Sequence, residues 1–269
     1  MGLRIVVLAK HVPNIHSNRT FVDGRVARGA ADGSLNELDE HPLEEAVRLL
    51  ERMSDEERAG SEIVALTMGP AEASDALRRA YQLGADVGVH VLDDALVGSD
   101  YLGTAAVLAA AVRRVAQDGP VDLVLAGMAA LDGLGSVVPA LVAAELGWPQ
   151  LTNAGALEVA GRAARAERDV DGVTEVLEAE LPVVVSVNDH INRPRFPNFK
   201  LIMAARTKAI TTWSLADLDV DASKVGEAGA RTQVLSAAPR PERPPVELHV
   251  DSGQGGIALA DFLARRGLV

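Results

Sequence analysis

Residues Asp122–Pro139, DLVLAGMAALDGLGSVVP, decide the fold. Asp122 to Ala126 read as a strand, as does the continuous apolar run Leu3–Ala9, whose pattern suits burial on both faces of a parallel sheet. The loop that begins at Gly127 carries two further glycines, Gly133 and Gly135, and opens a helix that stops at Gly147. The same order of strand, loop and helix recurs upstream. Leu3–Ala9 (LRIVVLA) predicts the first strand, followed by a long polar loop and a helix over Pro42–Met53. In that helix Leu43, Ala46, Val47, Leu50 and Met53 recur at helical spacing, and Pro42 suits the first turn. Ile63–Met68 predicts a second strand, and a helix carrying Ala73, Leu77, Ala80 and Tyr81 on one face ends at Gly84. Val87–Leu92 predicts a third strand and Ser99–Ala116 a long Ala-rich helix with Ser99 as its N-cap. Strands alternating with helices in this way imply an α/β fold, a doubly wound, mostly parallel sheet with right-handed crossovers.

Past Trp148-Pro149 the pattern changes. Leu151–Glu180 holds three short runs, broken at Gly161 and at Asp171-Gly172, which predict a small antiparallel β extension. Val183–Val187 returns to the buried-strand pattern. From Leu218 the chain turns polar and Pro-rich and ends in one amphipathic helix, so residues 1–217 are expected to form the α/β domain and 218–269 an extended C-terminal arm lying on the body or on a partner.

Composition narrows the function classes. Of the 269 residues 48% are hydrophobic, enough for a sizeable core, while only 3% are aromatic, so Ala, Val and Leu must fill it. A net charge of -12 argues against nucleic acid as a partner, since neutralising phosphates takes a basic face. The absence of cysteine excludes disulfides, thiolate metal sites and thiol nucleophiles. The apolar run of MGLRIVVLAKHV is too short for a secretory signal, and no stretch reaches the ~18 apolar residues of a membrane span, so a cytoplasmic protein without membrane insertion is expected. The six histidines show no metal-ligand spacing, and no assembled catalytic apparatus is visible.

Three segments carry candidate chemistry. Gly127–Pro139 lies at the carboxyl end of a strand and at the start of a helix, where free amides favour a phosphate; an ordinary tight turn is the alternative. It matches neither GxGxxG after the first strand nor GxxxxGK[ST]. In NELDEHPLEEA (Asn36–Ala46), Asn36 and Asp39 either bind a nucleotide or cap the helix, and Glu44 and Glu45 are expected on a solvated face. In NDHINRPRFPNFKLIMAARTK (Asn188–Lys208), Phe196 and Phe199 sit between prolines, surrounded by Arg193, Arg195, Lys200, Arg206 and Lys208 with no acid among them. An apolar anchor ringed by positive charge predicts a docking surface for an acidic partner; rings folded into a local core are the alternative.

Together, RIVVLAKHVP, NELDEHPLEEAVRLLE, VALTMGPAEASDALRRAYQLGAD, DLVLAGMAALDGLGSVVPALVAAELGWPQLT, AERDVDG, LPVVVSVNDHINRPRFPNF and IMAARTK resemble the electron-transfer flavoprotein β-subunit family along essentially the whole chain. The resemblance implies an adenine nucleotide alpha hydrolase-like domain that buries a structural AMP and pairs with an α subunit holding most of the FAD. By position, Leu8, Asn36, Glu37, Leu38, Asp39, Met68, Gly127, Asp132, Gly133, Leu134, Gly135, Ser136, Val137 and Val138 match the AMP site, with the Gly133–Ser136 turn taking the phosphate. Ile15 and Leu38 fall where the family places aromatic side chains near the FAD, and Val137 and Val138 replace polar residues of the phosphate loop. Phe199 falls on the anchor inserted into partner dehydrogenases, within a segment comprising Arg195, Phe196, Pro197, Asn198, Phe199, Lys200, Leu201, Ile202 and Met203. Asp169 stands where a glutamate pairs with the α subunit. The implied role is a carrier without its own catalytic site, taking electrons from flavin dehydrogenases such as acyl-CoA dehydrogenases towards a membrane quinone oxidoreductase. Its alternatives are a flavin-bifurcating β subunit with a second FAD in the AMP site, a standalone adenine-nucleotide sensor or ATP pyrophosphatase, and a pure interaction scaffold. The pyrophosphatase would need an SGGxDS-type loop where this chain reads AKHVPNIHS.

Overall fold

The computed structural model describes residues 2–17, 20–22, 24–27, 33–238, 240–243, 245–246 and 248–269. In chain order the first strands are β1 (Arg4–Leu8), β2 (His11–Pro13), β3 (Phe21–Val22), β4 (Arg25–Val26) and β5 (Gly33–Leu35), followed by helices α1 (Glu37–Glu51) and α2 (Asp55–Ala59). Next come β6 (Glu62–Met68), α3 (Ser74–Leu83), β7 (Val87–Val91), α4 (Tyr101–Val115), β8 (Leu123–Gly127) and α5 (Val138–Leu146). The remainder is β9 (Gln150–Ala154), β10 (Ala156–Ala160), β11 (Ala163–Val170), β12 (Val173–Glu180), β13 (Val183–Val187), α6 (Phe199–Thr207), β14 (Ile210–Trp213), α7 (Gly226–Gly229) and α8 (Gly255–Arg265).

Seven strands form one parallel sheet in the order β14-β7-β6-β1-β8-β13-β9. Both faces are buried, as the uninterrupted apolar runs require. Along β1, Ile5 and Val7 enter the core under α1 and α3, while Val6 and Leu8 enter the core under α4 and α5. β8 splits the same way, Leu123 and Leu125 to one side and Val124 and Ala126 to the other. Helices on both faces of a parallel sheet make the fold doubly wound. β10, β11 and β12 form a separate antiparallel sheet.

Several boundaries differ from those read in the sequence. The first of the three runs expected in the antiparallel extension, up to Gly161, divides in two: β10 pairs antiparallel with β11 as expected, while β9 pairs in parallel with β13 and forms one edge of the main sheet. α1 starts at Glu37, so Pro42 lies inside the helix rather than in its first turn. Pro42 has no amide to donate to the Leu38 carbonyl. α4 is capped by Asp100, not Ser99: Asp100 Oδ1 accepts from the amides of Leu102 at 3.0 Å and Gly103 at 2.9 Å. The Ser99 hydroxyl instead donates to the Leu96 carbonyl and accepts from the Gly226 amide.

The chain divides into two compact units, Met1–Leu235 and Ser236–Val269. Residues 218–235 pack within the first, where Leu218 and Val225 join the core on the α4 face. The second contains α8, in which no residue is buried. Among the described residues no helix is long and apolar enough to cross a membrane.

Candidate functional site

The chain leaves β1 towards β6 and β7 and later crosses back to lay β8 on the other side of β1. The loop after β1 leads to α1 on one face of the sheet, and the loop after β8 leads to α5 on the other. Loops that part in this way leave a crevice at the carboxyl ends of the strands, the topological switch point where doubly wound proteins bind ligands. A cavity of about 1100 Å³ lies there, at the top of the range of small-molecule sites. Leu8, Leu66, Met68 and Ala126 floor it.

One wall is the glycine loop. Leu134 and Ser136, not the glycines beside them, carry positive φ, 49° and 55°. Such backbone is sparsely populated by non-glycine residues and clusters at binding sites. The amides of Gly133 and Leu134 already bond the Ala130 carbonyl at 3.1 and 2.7 Å. Gly127 is needed for close approach: a Cβ there would lie 2.5 Å from the Leu38 carbonyl oxygen and 2.6 Å from Asp39 Oδ1. At Gly135 a Cβ would lie 2.3 Å from the Tyr101 hydroxyl, so the ring at the start of α4 closes on the turn.

The opposite wall is the start of α1. Asn36 stands at the N-cap position but makes no capping bond. Its Nδ2 donates to the Ala129 carbonyl at 2.9 Å and its Oδ1 accepts from the Leu131 amide at 3.1 Å, so the side chain ties the glycine loop to α1. Asp39 Oδ2 accepts from the Lys10 amide at 2.8 Å. Burial pushes the Asp39 carboxyl up to about 7, against the opposing pull of the Lys10 amide, the Asn36 side chain, the Lys10 charge and the Gly127 amide. Lys10 Nζ reaches across to buried Asp132 at 2.7 Å. These contacts lock together the ends of β1, β8 and α1.

Of the residues assigned by position to the AMP site, Leu8, Asp39, Met68, Gly127, Gly133, Leu134, Gly135, Ser136 and Val138 line this cavity. Asn36 and Asp132 are buried; Glu37, Leu38 and Val137 lie outside the lining, Glu37 and Val137 exposed. Ile15, in an exposed turn at 14–17, is also outside it. The sequence reading missed Tyr101 and Thr104 on α4 and two segments at the mouth, 24–26 and 230–234. Tyr101, one of only two tyrosines and next to a capping Asp, was the available clue. Among the described residues no cluster of His, Cys, Asp or Glu could hold a metal.

The phenylalanine segment folds differently from a simple loop. Asn198 caps α6, accepting from the Leu201 amide at 2.9 Å, and Phe199 opens that helix. Phe196 and Phe199 are 96% and 78% exposed, and Met203, one turn on, is exposed beside Phe199. The ring of positive charge is thinner than the composition implied. Lys208 Nζ donates to the Ala85 carbonyl at 2.9 Å, and Arg195 is held by Glu44 and Glu51. Glu44 and Glu45, expected on a solvated face, are both buried, because the 188–198 segment covers them. Asp169 is exposed on β11, its Oδ1 accepting from the Thr174 hydroxyl at 2.6 Å.

Fold and site together define a doubly wound α/β protein with a ligand-sized cavity at the switch point of its sheet. A family model described as the electron transfer flavoprotein domain matches residues 23–218. "Electron transfer flavoprotein subunit beta" of Mycobacterium leprae (strain TN) is 42% identical over 98% of this chain and 99% of the relative. The protein of the same name from Mycobacterium tuberculosis (strain ATCC 25618 / H37Rv) is 40% identical over the same shares. "Caffeyl-CoA reductase-Etf complex subunit CarD" of Acetobacterium woodii is 32% identical over 90% of this chain and 89% of the relative. The chain belongs to the electron transfer flavoprotein β-subunit family.

Proposed function

We propose that this chain is the β half of a two-chain electron carrier, holding AMP in the switch-point cavity, while an α chain holds most of an FAD. The cavity carries the reading: it has the volume for a nucleotide and lies where α5 begins. With the amides of Gly133 and Leu134 spent on Ala130, a phosphate would draw on amides of Gly135, Ser136 and Val138 and on the hydroxyls of Ser136 and Tyr101. Lys10 and Arg25 line the cavity but are paired with Asp132 and Glu227, so neutral donors carry the anion. Asn36, Asp39 and Lys10 hold the two walls in register. The FAD supplies the redox chemistry when bound. Ile15 and Leu38 would meet it with aliphatic surface, so this chain shields the flavin from water rather than stacking on it.

Phe199, Phe196 and Met203 form the apolar anchor onto which a flavin dehydrogenase docks, flanked by exposed Arg193, Lys200 and Arg206. Electrons would then leave for a membrane quinone oxidoreductase. The deciding experiment is to purify the two-chain complex, denature it and quantify what is released. One FAD and one AMP per heterodimer is the expected result; no adenylate would overturn the reading. A second FAD in the cavity is the alternative its large volume favours, and two flavins per heterodimer would establish it.

A further inference from the structure

We infer that Arg195 is a positioning residue for the exposed phenylalanines, not a contact to the docked protein. The inference rests on the docking role proposed above and identifies what holds the docking element in shape.

Arg195 is committed to α1. Its backbone amide and Nε donate to Glu44 Oε2 at 3.2 and 2.7 Å, and Nη2 donates to Glu44 Oε1 at 3.1 Å. Nη1 and Nη2 donate to the two oxygens of Glu51 at 2.7 and 2.9 Å. Each carboxylate is thus gripped at both oxygens, a geometry the planar guanidinium fork matches and a lysine ammonium does not. The Glu44 side chain is only 7% exposed, so its charge needs this partner.

A second fastening lies three residues earlier. Asn192 Nδ2 donates to the His41 carbonyl at 3.0 Å and to Glu45 Oε2 at 3.1 Å, and Asn192 Oδ1 lies 3.2 Å from His41 Nδ1. Glu45 also faces Arg48 at 3.9 Å and Arg52 at 3.8 Å. Residues 41, 44, 45 and 51 share one face of α1, so the segment from Asn192 to Arg195 is stapled along the helix. Directly beyond the staple, the Phe196 and Phe199 side chains stand in solvent, and the far end of α6 is held by buried Ala205, whose carbonyl accepts from Arg78 at 2.8 Å. The rings' pose is therefore set by backbone fastened on either side, the staple before them and Ala205 after them. Without the staple, each side chain left to be ordered on docking costs roughly two- to tenfold in affinity.

The test uses the purified two-chain complex as acceptor for a flavin-dependent acyl-CoA dehydrogenase, with the complex concentration varied. Arg195→Gln and Glu44→Gln should each raise KM about tenfold, the scale of ordering one or two side chains, with kcat unchanged. Arg195→Lys should recover part of the loss, and Arg195→Gln combined with Phe199→Ala should raise KM by less than the product of the two single effects. Amide exchange over 196–203 should quicken in the two Gln variants. Were Arg195 instead a direct contact, Glu44→Gln would free it and lower KM, and the effects of Arg195→Gln and Phe199→Ala would multiply; either result, or an unmoved KM, overturns the proposal. If Glu44→Gln does not fold, Glu51→Gln at the exposed carboxylate replaces it. If Phe199→Ala itself leaves KM unchanged, the docking role fails, and unaltered exchange over 196–203 would then overturn the staple separately.

Discussion

At the scale of single residues, Asp39 ties stability to pH. Its carboxyl ionises near 7 in the folded chain and at 3.8 as the ordinary value. Between those values the folded state holds a proton that the unfolded state has lost, so stability falls as pH rises from about 4 to about 7 and levels off above. A shift of this size corresponds to on the order of 4 kcal/mol. Urea denaturation across that range should show the decline in the native chain and a flatter profile in Asp39→Asn. Gly127 is a second sensitive position. A Cβ there would strike the backbone oxygen of Leu38, so Gly127→Ala should cost about 1–3 kcal/mol in urea denaturation, the range of an overpacked core. The glycines of this loop marked it as a candidate site, but which residues bend left-handed was not legible. Leu134 takes that role where the turn closes on the Ala130 carbonyl, a contact no motif announces, and Ser136 takes it two residues on.

At the scale of elements, Asp100 joins α4 to the segment that borders the cavity mouth. Oδ1 caps α4, while Oδ2 accepts from the Arg231 amide at 2.8 Å. Burial works upward on its carboxyl but is outweighed by bonds from Gly103, Arg231, Leu102 and Thr232, which hold it below the usual range. Its contribution is therefore present above about 4, the unfolded value, and is lost only as pH falls through the lowered folded value. Asp100→Ala should cost about 1–2 kcal/mol at neutral pH, the scale of a lost N-cap, and should quicken amide exchange in 226–234. α1 shows how one helix serves two places: its start holds the glycine loop through Asn36, and its body holds Asn192 and Arg195. Apolar spacing from Leu43 onward revealed the helix. The carboxylates at 44 and 45 looked like solvated charge because their partners lie about 150 residues away.

At the scale of the whole molecule, a ligand that binds only the folded state stabilises it by mass action, about 2.7 kcal/mol at a hundredfold excess over Kd. Two-chain complex stripped of nucleotide should therefore melt at a lower temperature, and AMP should restore the midpoint. Adenosine should restore little if the phosphate is anchored on Gly135, Ser136 and Val138; equal rescue by adenosine would place the anchor elsewhere. The sequence alone determined the doubly wound sheet, because strands buried on both faces and helices with one apolar face are written in local periodicity. It also pointed to the glycine loop and the phenylalanine segment, through residue types whose conformational or apolar character is intrinsic. Only the tertiary structure decided that β9 joins the main sheet, that Tyr101 closes on the loop, and that Arg195 turns inward to Glu44 and Glu51. Each depends on groups distant in the chain meeting across a packed surface, and hydrogen bonds and ion pairs of that kind leave no period in the sequence that forms them.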